Sequence, residues 1–86
     1  MKELRLTIKK RWFFEILNKK KFIEYREIKP YYKKLEKYKY NNVLLINGYS
    51  KNSPFLKIKL KKIKKTNFYE LYLGKIIEMG NINENS

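Results

Sequence analysis

The chain has no cysteine and no histidine, and it also lacks alanine, glutamine and aspartate. Without Cys or His there are no disulfides, no thiolate or imidazole metal ligands and no histidine general base, so no metal and no cofactor are expected. Long apolar runs are missing as well. The longest purely aliphatic stretch is Val43–Ile46, against the roughly 20 residues a membrane-spanning helix needs. No secretory apolar segment is visible, so a soluble cytoplasmic protein with no membrane partner is expected. Acidic residues are scarce too: 8 Asp+Glu face 22 Lys+Arg, a formal net charge of +14.

That excess is large for 86 residues. It points to a polyanionic partner, with lysine and arginine drawn to phosphates. A chain rich in Lys, Asn, Ile, Tyr and Phe also reads like an AT-rich coding sequence. Such a bias explains why Lys outnumbers Arg. It explains less well why Lys outnumbers Glu, whose codons are equally A-rich.

A chain of this length makes one domain and buries only about 60–65% of its unfolded surface. Leu4, Leu6 and Ile8 alternate with Arg5, Thr7 and Lys9, the period of a half-buried strand. Trp12, Phe13, Ile16 and Leu17 form a helical stripe within residues 10–20. No Ser, Thr, Asp or Asn stands at its N-cap, and lysines 19–21 suit its C-terminal end. Residues 22–28 read as a second strand. Pro30 suits the first position of a second helix, on which Tyr31, Leu35 and Tyr38 share the apolar side. Val43–Ile46 reads as a buried central strand. Leu56, Ile58 and Leu60 alternate with Lys57, Lys59 and Lys61, and the phase slips at Lys61–Lys62, which predicts a β-bulge. Tyr69, Leu71 and Leu73 mark the last strand, with an irregularity at Gly74 before Ile76–Ile77. From Met79 on the chain turns polar; residues 1–80 are expected to form the domain and 81–86 a frayed tail. The order strand, helix, strand, helix and three strands predicts an α+β fold, a small mixed β-barrel of about five strands flanked by two helices.

The chemistry concentrates in Lys21, Glu24 and Arg26. In an extended segment Phe22, Glu24, Arg26 and Ile28 share one face, a charge pair between two large apolar groups. Such a pair is a salt bridge at the edge of the core or the polar floor of a pocket, and a pocket floor is expected here. As a pocket, Arg26 grips a phosphate or a guanine edge with two prongs, Glu24 accepts from an exocyclic amine, and Lys21 supplies a phosphate point charge. Lys29 adds charge. Single-stranded RNA also needs stacking platforms. Tyr32 and Tyr49 are the tyrosines expected to be exposed, with Ser50 beside Tyr49, whereas Trp12 at helical spacing reads as core. Lys57, Lys59 and Lys61, joined by Lys62, Lys64 and Lys65, form a basic row suited to a nucleic-acid backbone or, equally, to a solvated edge that resists strand-to-strand aggregation.

Lys21-x-x-Glu24-x-Arg26 resembles the G-x-K-x-x-E-x-R signature of the ASCH domain, a relative of the PUA-like RNA-binding folds. Trp12, the run Glu24–Tyr31, Asn47-Gly48-Tyr49-Ser50 and Leu73-Gly74-Lys75-Ile76-Ile77 are similar to segments of small bacterial and phage members, so the resemblance covers nearly the whole chain. It implies a PUA-like pseudobarrel that binds RNA or a nucleotide. The signature's glycine falls on Lys19 at the helix end, where a left-handed residue is often needed, and Asn18 could supply that turn one residue earlier. Some members are amidohydrolases of acetylated cytidine that use a Lys, a Thr and a Glu. Lys21 matches the lysine, but the threonine position falls on Glu24, which cannot be a hydroxyl nucleophile and could only activate water. Glu70 is the candidate for the third residue. Stand-alone members also suggest a third role, binding a protein partner to block a host nucleic-acid-binding enzyme.

Overall fold

The computed structural model describes residues 2–82. Its elements are β1 (Lys2–Thr7), α1 (Lys10–Leu17), β2 (Ile23–Arg26), a 3₁₀ turn (Pro30–Lys33) running into α2 (Lys34–Lys37), β3 (Tyr40–Ile46), β4 (Phe55–Lys65) and β5 (Tyr69–Gly80). The strands form one curled sheet in the order β1-β3-β4-β5-β2, parallel between β1 and β3 and antiparallel elsewhere. This is the small α+β barrel-like fold expected, a mixed five-stranded half-barrel with two helices.

The alternation seen in the sequence decides what lies inside. Leu4, Leu6, Val43, Leu45, Leu56, Ile58, Leu60, Leu71 and Leu73 line the concave face, where Phe13 and Ile16 of α1 and Leu35 of α2 cover them. Each fully buried side chain of this size contributes roughly 1.5–3 kcal/mol. Three register breaks bend the long β4–β5 ribbon. At the first, Leu60 pairs with Leu73 and Lys62 with Tyr72, so Lys61 is the extra residue that the sequence phase predicts. At the second, Ile58 pairs with Ile76, which puts an extra residue at Gly74–Lys75. A Cβ on Gly74 would stand 3.2 Å from the Lys59 carbonyl oxygen, a tight contact that favours the small residue at this bulge.

Several boundaries differ from expectation. α1 stops at Leu17, not at residue 20, and Asn18 is not the left-handed residue (φ −87°). Lys19 takes that conformation itself (φ 60°), and the N–H groups of Lys19 and Lys20 bond to the carbonyls of Ile16 and Glu15 at 3.1 and 2.8 Å. This is a Schellman end built on a lysine. The second helix begins as a 3₁₀ turn, whose three-residue period puts Tyr32, not Tyr31, in line with buried Leu35. β2 is only four residues long, so Phe22 and Ile28 fall outside it and are exposed; they do not sandwich the charge pair. β5 continues through Met79 to Gly80, so the polar stretch starts later than its composition suggests. Of the expected tail, residues 83–86 lie outside the described residues.

Candidate functional site

Glu24 is the one buried charged residue among the described residues, 5% exposed, because its register partner on β5 is the core residue Leu71. A carboxylate there needs partners, and it has two cations. Arg26 Nε donates to Glu24 Oε2 at 2.8 Å, and Arg26 Nη2 stands 2.7 Å from the same oxygen. Lys21 Nζ lies 3.8 Å from Oε1 and sits over the rings of Trp12 and Tyr25, about 5 Å from each centroid. Arg26 also donates from Nη1 to the Tyr32 hydroxyl at 3.1 Å and from Nη2 to the Thr7 carbonyl at 2.9 Å. The guanidinium thus joins β2 to the end of β1 and to the 3₁₀ turn, where the half-barrel is open.

Both readings of the charge pair therefore hold in part. It is a salt bridge at the core's edge, and it forms the wall of a cleft. Little of Arg26's donor set is left for a two-pronged grip, Lys21 is held by its own aromatic neighbours, and both Glu24 oxygens face cations. The motif's first task is to shape the wall.

The cleft itself holds about 1040 Å³, at the upper end of ligand sites, which run to about 1,000 Å³. It lies between the ends of β1 and β2, the 3₁₀ turn and the β3–β4 loop. Tyr49 stands 95% exposed at its rim and Tyr31 68% exposed. Tyr32, expected to be exposed, is half-buried against the core and edge-on to Tyr31 at 5.0 Å; the two tyrosines have exchanged roles because the turn is 3₁₀. Trp12 packs partly against the core and also lines the cleft. Arg5 and Lys9 line it without any ion pair among the described residues, whereas Lys29 pairs with Glu27 at 3.2 Å. No side chain caps the N-terminus of α1 after Lys9, and Lys9 and Trp12 from this end of the helix line the cleft.

The loop that presents Tyr49 is fixed by its neighbours. Asn47 Nδ2 donates to the Ile8 carbonyl at 3.0 Å, and the Asn47 N–H donates to the Pro54 carbonyl at 2.9 Å. Gly48 has φ +128°, and a Cβ there would lie 2.5 Å from Ser53 Oγ. Ser50 serves this loop and not the cleft: its Oγ accepts from the Asn52 N–H at 3.0 Å, and its own N–H donates to Ser53 Oγ at 3.0 Å.

Lys57 and Lys59 are likewise elsewhere, on the convex face of β4, with Lys57 paired to Glu3 at 3.4 Å and Lys59 exposed. Glu70 does not join Lys21 and Glu24. Its register partner is Tyr25, on the opposite sheet face from Glu24, and its carboxylate accepts from the Tyr72 and Thr66 hydroxyls. Among the described residues no group of three or more acidic residues could hold a metal, and no helix is long and apolar enough to cross a membrane.

No family model, no curated protein and no solved structure matches this chain.

Sequence reasoning singles out Lys29, Tyr32 and Tyr49 but not Arg5, Lys9 or Tyr31. The strand period marks Arg5 as outward-facing. Nothing local in the sequence tells which outward residue will meet the β3–β4 loop.

Proposed function

We propose that this chain is a cytoplasmic RNA- or nucleotide-binding domain of the ASCH, PUA-like kind, and that single-stranded nucleic acid enters the cleft between β1, β2 and the β3–β4 loop. One observation carries the reading: two exposed tyrosines, Tyr31 and Tyr49, share a large cleft with Arg5 and Lys9, which have no ion-pair partner among the described residues. Aromatic faces for bases beside cations for phosphates is how single strands are held without a strict sequence code. The formal charge of +14 draws such a ligand in. Arg26, Lys21 and Glu24 hold the wall in shape, and Lys29 and Tyr32 flank it.

The test is anisotropy of a labelled single-stranded RNA octamer titrated with the protein at several salt concentrations. Log affinity falls with log salt by roughly 0.7 per phosphate contacted. Tyr49→Ala lowers affinity by about 1–3 kcal/mol, the worth of one stacked base, with no change in melting. If Tyr49→Ala and Arg5→Ser both bind as the wild type does at every salt concentration, the cleft is not the site.

A further inference from the structure

β5 runs from Tyr69 to Gly80, but β2 covers only Tyr69–Tyr72 of its second edge. One further bond, from the Leu73 N–H to the Phe22 carbonyl at 2.9 Å, ends that pairing. Among the described residues, no strand pairs with Gly74–Gly80 on the side away from β4. A bare strand edge of this length is a template for another strand.

Beside this edge lies a groove of about 480 Å³ between the end of α1 and β5, lined by Ile16, Leu17, Phe22, Ile76 and Met79. Phe22 is 58% and Met79 51% exposed, and they gather with half-buried Leu17 and Ile76 along one groove, a contiguous apolar patch of the kind that marks an interaction surface. The β4–β5 register sets Ile76 opposite buried Ile58 and Met79 opposite buried Leu56, so both face the concave side where the groove runs. Lys19 and Lys75, both exposed, also line it, and neither forms an ion pair among the described residues. The edge's only carboxylate, Glu78, has Lys57 as its register partner and so belongs to the convex face. The groove shares no lining residue with the aromatic cleft, although Lys21, which also lines the groove, reaches Glu24 on the cleft wall at 3.8 Å.

Charge decides the occupant. A second copy would bring the same lysines and another +14 to the contact, a repulsive pairing. An acidic segment meets the opposite situation. We propose that the free edge of β5 and the adjoining groove bind an extended acidic polypeptide segment, which adds to β5 as a strand. Its alternate apolar side chains enter the groove, and its carboxylates, which point to the other face of the added strand, meet Lys75 at the rim beside Ile76.

The probe is a fluorescein-labelled decapeptide alternating valine and glutamate, compared with one in which serine replaces valine, both titrated into the full chain. The valine peptide should bind about tenfold more tightly, because its apolar side chains are removed from water. It should also slow amide hydrogen exchange within residues 75–80. Met79→Glu should remove both effects, and Lys75→Glu should weaken the valine peptide while leaving the circular dichroism spectrum unchanged. Equal binding of the two peptides, or exchange unchanged along β5, overturns the proposal. So does a dimer in sedimentation that protects the same amides without peptide, since the occupant is then a second copy.

Discussion

Arg26 reads in the sequence as a ligand contact, and its hydrogen bonds make it a structural tie among β1, β2 and the 3₁₀ turn. Removing it leaves Glu24 buried with only the more distant Lys21 as partner. Arg26→Ala should therefore destabilise the fold by about 3 kcal/mol, read by urea denaturation, and any loss of RNA affinity will result from that. Arg5→Ala is the contrast, with affinity lost and stability unchanged, because Arg5 is exposed and makes no ion pair among the described residues. A free Arg26 side chain, with stability unchanged by its removal, would return it to the ligand's side. Gly48→Ala belongs to the same scale. A left-handed φ and a Cβ only 2.5 Å from Ser53 Oγ should cost about 1–3 kcal/mol and displace Tyr49 from the rim.

At the scale of elements, period and phase are legible in the sequence and geometry at the joints is not. The alternation of Leu56, Ile58 and Leu60 and the slip after Leu60 locate both the β4 core face and its bulge, because side-chain period in a strand is fixed at two. The second helix differs from expectation because Pro30 starts a 3₁₀ or an α turn equally well, and the choice exchanges Tyr31 with Tyr32. The Glu24–Arg26 pair is legible as a pair. Its partners, Thr7 and Tyr32, come from elements that only the folded chain brings together. Lys19, two residues past the end of α1, takes a left-handed conformation at the place where the ASCH signature carries glycine. A Cβ there is strained by about 1 kcal/mol. Lys19→Gly should raise stability by about that amount in urea denaturation, and a loss of stability would mean that the lysine's packing outweighs its backbone strain.

For the molecule as a whole, α2, whose Leu35 packs in the core, is also tied to the turn end of the β4–β5 ribbon by one carboxylate. The Tyr69 hydroxyl donates to Glu36, and Lys65 Nζ lies 3.3 Å from it. The Tyr69 hydrogen bond, then that of Lys65, holds the Glu36 pKa below its ordinary 4.5, and the same bond raises that of Tyr69 above 10.0. The lowered group stabilises the fold above about pH 4.5 and loses that contribution as pH falls through the folded value. The raised group contributes below about pH 10 and loses it as pH rises through the folded value. The contribution of this tie should thus be flat between these limits, and Glu36→Gln should make the acid limb of a denaturation series from pH 3 to 7 shallower. An acid limb identical to the wild type's would show that the tie contributes nothing. The long axis of 38 Å matches the length of this ribbon, and β2 is too short to cover its second edge. The half-barrel therefore presents a mouth bridged on one side by Arg26 and an edge left open along β5. Shift mapping of the ¹⁵N-labelled chain with a single-stranded RNA octamer tests directly whether the cleft takes nucleic acid. The account predicts amide shifts gathered at residues 7–9, 26–29 and 47–49 around the cleft. Shifts spread along the convex lysines of β4, with those three segments unmoved, would contradict it.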